Sequence, residues 1–249
     1  MPPKIKAQDL AVTLGLASTR SQAQALILAG RILYGAEPVP KAGTLYPEDA
    51  ILTLKEGRKY ASRGGFKLAG ALEAFNLDVT GFNCLDAGAS TGGFTDCLLQ
   101  KGANKVTAAD VGQGLLDYNL RLNPQVKVVE NLNLRLLTPQ NASELDPPFD
   151  LITLDLSFIS LELVLPVLAP LTKENGYILA LVKPQFELGR GRVGKKGVVK
   201  DPKLIQEAAD KIVNLIPALK PTYKVLGEAP AAITGANGNQ EIFVLSQRA

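Results

Sequence analysis

The 249-residue sequence has no histidine and no tryptophan, and it contains only two cysteines and one methionine. The absence of histidine excludes Ser-His-Asp hydrolysis, histidine-ligated zinc and an imidazole general base. Proton transfer would have to use lysine, carboxylate or tyrosine side chains. We expect Cys84 and Cys97 to be buried apolar side chains and not to form a disulfide. No metal site is expected.

The sequence also lacks long apolar runs, since none approaches the roughly 20 residues that a membrane-spanning helix needs. Residues 1–6 have no apolar core of the kind found in secretory signal peptides. These features predict a cytoplasmic protein with no membrane partner. The length and the hydrophobic fraction of 46% suit one full α/β domain and a small module.

Strand-like and helix-like segments alternate along residues 61–249, which predicts a doubly wound, Rossmann-like α/β fold with a mostly parallel sheet. The predicted strands lie near residues 82–87, 104–110, 126–130, 149–155 and 176–183. The predicted helices lie near residues 64–76, 91–101, 114–122, 160–169 and 202–216. Residues 223–227 and 241–246 are expected to complete the sheet.

A glycine-rich segment between a predicted strand and a predicted helix indicates a cofactor loop, because glycines let backbone N–H groups approach a ligand. Asp110 ends the next strand, where a carboxylate can accept hydrogen bonds from both ribose hydroxyls of a nucleoside. The Asp86 carboxylate would repel a phosphate but tolerate a cationic ligand, which favours S-adenosyl-L-methionine over a dinucleotide. The predicted cofactor-binding residues are Asp86, Gly88, Ser90, Thr91, Gly92, Gly93, Phe94, Asp110 and Val111.

Residues 1–60 carry eight basic and five acidic side chains, which is an excess of positive charge in a short segment. Their pattern predicts two short amphipathic helices, the second over residues 20–28, then a hairpin at 31–39 and a strand at 49–54. Such a basic α+β module suits phosphate contacts with RNA. Residues 55–60 are predicted to be an exposed linker.

Charged side chains end two of the apolar strands. Asp155 and Lys183 would meet at the carboxyl edge of a parallel sheet, either as a functional pair or as a simple ion pair. Phe158 would stack on an extruded nucleotide or pack in the core. Arg63 would bind phosphate or cap the surface, and a glycine-spaced basic run would bind phosphate or be solvated. The basic run comprises Arg190, Arg192, Lys195, Lys196 and Lys200, of which the first four are the predicted RNA-binding residues.

Four segments in order resemble the TlyA or haemolysin A family of ribosomal RNA 2′-O-methyltransferases: residues 62–68, 86–96, 155–161 and 183–187. The resemblance implies an S-four-like RNA-binding domain over residues 1–60 and an FtsJ-like methyltransferase domain over residues 61–249. It also implies a catalytic tetrad of Lys67, Asp155, Lys183 and Glu241. The other positions that match the family are Glu130, Asn133 and Arg135 near the adenosine, and Lys6 and Arg20 in the RNA-binding domain.

The resemblance further implies methyl transfer from S-adenosyl-L-methionine to a ribose 2′-hydroxyl of a cytidine, with ribosomal RNA or a ribosomal subunit as partner. Lys183 would either remove the hydroxyl proton or act as a hydrogen-bonding anchor. Three other functions stay open. A non-catalytic ribosome-assembly factor would not need the tetrad, a membrane-active haemolysin would need an insertion segment, and a small-molecule nucleoside enzyme would not need residues 1–60.

Overall fold

The computed structural model describes residues 3–55, 59–189, 191–194 and 197–249, without the side chains of residues 139, 140 and 236. The chain divides into two compact units, Met1–Lys59 and Tyr60–Ala249. Within the described ranges, no helix is both long enough and apolar enough to cross a membrane. The same ranges contain no group of three or more Cys, Asp or Glu side chains placed to hold a metal ion.

The smaller unit has two helices and five short strands among residues 3–55. Helices α1 (Ala7–Thr13) and α2 (Arg20–Leu28) bury apolar side chains against one core, and the Thr19 hydroxyl caps α2 by accepting from the Gln22 N–H. Strands β2 (Ile32–Tyr34), β3 (Glu37–Pro38) and β5 (Leu52–Leu54) form a three-stranded antiparallel sheet. The sequence predicted these elements but not the antiparallel pair of β1 (Lys4–Lys6) and β4 (Leu45–Pro47).

The larger unit is built on a seven-stranded sheet in the order β11-β12-β10-β9-β6-β7-β8. Its five parallel strands and the antiparallel β12 confirm the predicted doubly wound α/β fold. Strand order reverses at β6 and β9, and such a reversal leaves a crevice at the carboxyl ends of the strands. The strands are β6 (Asn83–Ala87), β7 (Lys105–Ala109), β8 (Val126–Val129), β9 (Phe149–Leu154), β10 (Thr172–Val182), β11 (Tyr223–Pro230) and β12 (Ile242–Arg248).

Helices cover both faces of this sheet, because successive strand residues point to opposite sides. Leu151 packs in a core with side chains of α3 and α4, whereas Ile152 packs in a second core with side chains of α7 and α9. The helices are α3 (Gly64–Ala74), α4 (Gly93–Gln100), α5 (Tyr118–Leu122), α6 (Pro139–Ala142), α7 (Leu165–Leu168), α8 (Pro184–Glu187) and α9 (Pro202–Leu215).

Three local predictions were wrong. The helix expected over 160–169 is a 3-10 turn, α7 and a second 3-10 turn, and a proline is the second residue of each of the latter two segments. The helix expected over 114–122 is only α5, since Gly114 has a positive φ of 70°. Tyr60 is not an exposed linker residue but is buried, and its ring lies 5.1 Å from that of Phe66.

Candidate functional site

The glycine-rich loop joins β6 to α4 in the crevice of the larger unit. Gly88 has a φ of +88°, and a Cβ atom there would lie 2.9 Å from the carbonyl oxygen of Asp155. Gly92 has a φ of +91°, and its Cβ would overlap the side chains of Leu116 and Leu120. Both positions therefore need glycine, one for the approach of β9 and the other for packing against α5.

The carboxyl group of Asp86 is fully buried at the base of the loop. Its Oδ2 accepts hydrogen bonds from the Thr95 N–H (2.8 Å) and hydroxyl (2.7 Å). Its Oδ1 has no hydrogen-bond partner within the part of the chain that the structure describes. Burial, with smaller contributions from the Asp155 and Asp110 carboxylates, raises the pKa of this carboxyl to about 7, although the hydrogen bonds from Thr95 lower it.

Two adjoining cavities open beside the loop, with volumes of about 290 Å³ and about 480 Å³. They share Gly88, Ser90, Asp155 and Ser157 as lining residues. The first cavity is polar and is also lined by Ser62, Arg63, Gly64, Lys67, Asp86, Ala89, Thr91, Gly93, Phe94 and Lys183. The second has an apolar wall and is also lined by Asp110, Val111, Leu115, Leu132, Asn133, Leu134, Arg135, Leu156, Phe158 and Ile159.

The four residues of the predicted tetrad form two ion pairs at the first cavity. Lys67, on α3, donates to Glu241 Oε2 over 2.6 Å, and both side chains are buried. Lys183 follows β10, and its Nζ lies 2.7 Å from Asp155 Oδ1. The Lys183 Nζ also donates to the Ser157 hydroxyl over 3.0 Å, a contact that the sequence did not predict. Adjacent ends of β9 and β10 therefore bring an ammonium, a carboxylate and a hydroxyl together.

Asp110 lies at the second cavity with both oxygens already accepting hydrogen bonds. Oδ2 accepts from the Ser90 N–H (2.8 Å) and Oδ1 from the Gly112 N–H (2.7 Å), so the carboxylate ties two loops together. Each carboxylate oxygen can still accept a second bond from a ligand. Of the other predicted cofactor residues, Val111 lines the second cavity and Thr91, Gly93 and Phe94 line the first, whereas Gly92 lines neither.

Two of the three residues expected near an adenosine line the second cavity. The Asn133 side chain accepts from the Arg135 N–H (3.1 Å), and both residues lie at the wall. Glu130 does not line it. Its carboxylate accepts from the Gly114 N–H (2.8 Å) and from Arg121 (2.5 Å), and these bonds lower its pKa. Glu130 therefore fastens the loop that follows Asp110.

The predicted RNA-binding residues have varied surroundings. Phe158 is 90% exposed, has a φ of +65° and lies 5.1 Å, ring to ring, from Phe186. Arg63 donates to the Thr234 carbonyl oxygen over 2.6 Å at the first cavity. Arg192 forms an exposed ion pair with Glu207 on α9. Arg190, Lys195 and Lys196 lie outside the described residues.

In the smaller unit, Lys6 is exposed at the end of β1. Arg20 begins α2 and its Nε lies 2.6 Å from Asp9 Oδ1, with the arginine side chain largely exposed. Their contact with RNA stays a prediction.

Sequence reasoning missed the apolar wall of the second cavity, which includes Leu115, Leu132 and Ile159. These side chains come from three separate segments, and an apolar residue in a loop carries no local mark of a ligand site. It also gave no role to Glu187, a buried carboxyl group four residues after Lys183. Glu187 ends one of the four segments that carry the family resemblance, but its burial is not visible until its partners are known.

Known protein families, curated proteins and solved structures are similar to this chain over most of its length. Residues 60–248 match the FtsJ-like methyltransferase model, and residues 7–50 match the S4 domain model. The 16S/23S rRNA (cytidine-2′-O)-methyltransferase TlyA of Mycobacterium tuberculosis is 44% identical over 235 residues, covering 94% of this chain and 86% of that protein. Hemolysin A of Brachyspira hyodysenteriae is 37% identical, covering 91% and 93%. A solved hemolysin-like structure from Streptococcus thermophilus is 36% identical, with a TM-score of 0.72 and coverage of 100% and 90%.

Proposed function

This chain belongs to the TlyA and haemolysin A family of FtsJ-like methyltransferases, and we propose that it methylates a ribose 2′-hydroxyl of a cytidine in ribosomal RNA. The observation that carries the proposal is the pair of ion-paired lysines, Lys67 and Lys183, beside the glycine-rich loop. A non-catalytic RNA-binding protein would not need two buried ammonium groups at one cavity, because burying charge is costly.

The proposed methyl donor is S-adenosyl-L-methionine, and the residues of the two cavities fit it. The unpartnered Asp86 Oδ1 is a buried acceptor suited to the ammonium of an amino acid. Asp110 has acceptor capacity for ribose hydroxyls, and the apolar wall of the second cavity suits a nucleobase. When bound, this cofactor supplies an electrophilic methyl group on a positively charged sulfur.

The side chains around Lys183 have complementary roles in this reaction. Lys183 gives up its ammonium proton to solvent before the methyl transfer; its Nζ then accepts the 2′-hydroxyl proton, and Asp155 stabilises the ammonium that results. Ser157 holds the same nitrogen from a second direction, which fixes its position. Glu241 fixes Lys67 in the same way at the other side of the cavity. Alignment of the attacking oxygen supplies much of the rate in such a displacement.

RNA recognition is assigned to the smaller unit and to the rim of the cavities. Residues 1–60 would act as the RNA-binding domain and residues 61–249 as the methyltransferase domain, supported by the S4 match at residues 7–50. The exposed ring of Phe158 is suited to stacking on an extruded nucleotide. Arg63 and Arg192 would contact phosphates, as would the three basic residues outside the described part. A ribosomal substrate would place this activity in the cytoplasm.

Replacing Lys183 by arginine tests the proposal. Arginine keeps the positive charge but cannot accept a proton near neutral pH, and its planar fork does not reproduce an ammonium. We expect single-turnover methylation of ribosomal RNA to fall about 10²- to 10⁴-fold, the range for loss of a general base. Cofactor affinity, measured by calorimetry, should be retained.

Lys173→Arg is the matched control, because Lys173 lies on β10, the strand that Lys183 follows, and pairs with Asp150 over 2.8 Å, away from both cavities. It should methylate at the parent rate. A folded Lys183→Arg protein with a near-parent rate and an unchanged pH profile would remove Lys183 from the chemistry. Ribose methylation is read by mass spectrometry of the RNA.

A further inference from the structure

Glu187 is a buried carboxyl group that contacts neither cavity, yet it joins three segments around the site. It ends α8, the short helix that begins directly after Lys183. Its Oε2 accepts from the Ser160 hydroxyl over 2.6 Å, and its Oε1 accepts from the Leu161 N–H over 2.8 Å. The Lys211 ammonium, from α9, lies 3.4 Å from Oε2 and donates to the Glu187 carbonyl oxygen over 3.1 Å.

The segment held by Glu187 carries the residues that meet Lys183. It begins at Asp155, whose N–H donates to the Ala87 carbonyl oxygen over 3.1 Å, and it ends at Ser160 and Leu161. Between these points the chain has no regular secondary structure, and Phe158 has a positive φ, so the segment lacks a hydrogen-bonded ladder of its own. The Glu187 carboxylate supplies the fixed point at its far end.

The same carboxylate also fixes α8 from the opposite side. The helix has only four residues and begins with Pro184, which brings no N–H, so its own hydrogen bonds hold it weakly. Its one aromatic residue, Phe186, lies against Phe158, and its ring centroid is 6.0 Å from the Lys183 Nζ. Movement of α8 relative to the 155–161 segment would therefore change both the Lys183 contacts and the aromatic pair.

We propose that Glu187 is a positioning residue that clamps the 155–161 segment to α8 and thereby holds Lys183, Asp155 and Ser157 in register. The inference rests on the proposed methyl transfer for its kinetic consequence, but the clamp itself is a property of the folded chain. Glu187 acts through these neighbours and does not touch the reacting atoms.

Glu187→Ala removes the acceptor of the Ser160 hydroxyl and the Leu161 N–H. We expect kcat for methylation to fall about 10- to 100-fold, because a displacement of about 1 Å in a catalytic group can cost 10²-fold. Cofactor affinity should fall much less than kcat, because Asp86 and Asp110 make no contact with Glu187 and only part of the apolar wall lies in the clamped segment. Glu187→Gln should recover much of the rate, because its amide oxygen can still accept from the Leu161 N–H and the Ser160 hydroxyl can rotate to accept from its NH₂.

Glu162→Gln is the control. Glu162 pairs with the same Lys211 at 2.5 Å, but its side chain is half exposed and does not bond to Glu187 or to α8. This variant should retain the parent kcat. A Glu187→Ala protein with kcat within twofold of the parent overturns the inference. A second result also overturns the inference. If Glu187→Ala loses kcat and cofactor affinity by equal factors, and Glu187→Gln does not recover kcat, the substitution has damaged the fold in general.

Hydrogen exchange separates this inference from the proposed function. In Glu187→Ala, the amides of Asp155 and Leu161, which are hydrogen-bonded at the two ends of the segment, should exchange faster than in the parent, while those of β6 should not change. If the parent itself fails to methylate RNA, the proposed function fails, and the exchange of these two amides still decides whether the clamp exists. Unchanged exchange at Asp155 would refute it.

Discussion

Replacing Asp86 by asparagine should stabilise the protein at pH 8 and have little effect near pH 4. The Asp86 carboxyl is fully buried, and burial raises its pKa from 3.8 to about 7. The folded protein therefore binds this proton more tightly than the unfolded chain does. As pH rises through the interval between the two values, the folded state must either keep the proton or bury a charge, and its stability falls.

The size of the effect follows from the two pKa values. One pKa unit corresponds to about 1.36 kcal/mol, so the rise from 3.8 to about 7 corresponds to roughly 4 kcal/mol. Below pH of about 4 the destabilisation is absent, and above pH of about 7 it is complete. Roughly 3 kcal/mol of it develops between pH 5 and pH 8. Asparagine has no proton to lose, and its amide oxygen can still accept both bonds from Thr95.

Urea denaturation of the parent and Asp86→Asn at pH 5 and pH 8 measures this difference. Asp78→Asn gives a control of opposite sign, because the Thr80 hydroxyl and N–H lower the pKa of the Asp78 carboxyl at the surface. Asp78→Asn should be less stable than the parent to the same extent at pH 5 and pH 8, because both values lie above the ordinary pKa of an aspartate, and the loss should shrink only below pH of about 4. If the advantage of Asp86→Asn over the parent is the same at pH 5 and pH 8, Asp86 is ionised throughout and the reasoning is refuted.

Two further predictions concern the cofactor and the RNA. Asp110→Asn places an NH₂ group against either the Ser90 or the Gly112 N–H, so S-adenosyl-L-methionine affinity measured by calorimetry should fall by about 1.5–3 kcal/mol, and unchanged affinity would contradict the ribose role. Removing residues 1–59, which leaves the buried Tyr60 in place, should abolish methylation of ribosomal RNA while cofactor binding persists. RNA affinity of the full chain should also fall as salt is added, and a truncated protein that methylates at the parent rate would exclude a recognition role for the smaller unit.

The sheet could be predicted from the sequence because its strands are apolar runs with a charged residue just beyond the carboxyl end. Asp155 and Lys183 mark such ends, and the parallel topology brings them together. Helices broken by proline were harder to predict. Residues 160–169 have apolar residues at helical spacing, but Pro166 and Pro170 divide them, and tertiary packing determines the shape of the pieces.

Contacts between distant segments could not be predicted from local pattern. Asp110 was expected to face a ligand alone, yet it also holds the Ser90 and Gly112 N–H groups. The Glu187 network joins residues up to 51 positions apart, from Ser160 to Lys211. Periodicity and spacing predict which residues are neighbours within one helix or strand. They do not predict which loops come into contact in the crevice.

The pairing of Lys67 with Glu241 has a consequence for biosynthesis. The two residues are 174 positions apart, and Glu241 immediately precedes β12, which inserts between β10 and β11. A ribosome completes α3 and most of the sheet well before it adds this strand. Until β12 is in place, Lys67 lacks its carboxylate, and the gap between β10 and β11 is open. During synthesis the glycine-rich loop therefore forms early, and Lys67 gains its ion pair only after Glu241 and β12 have been added.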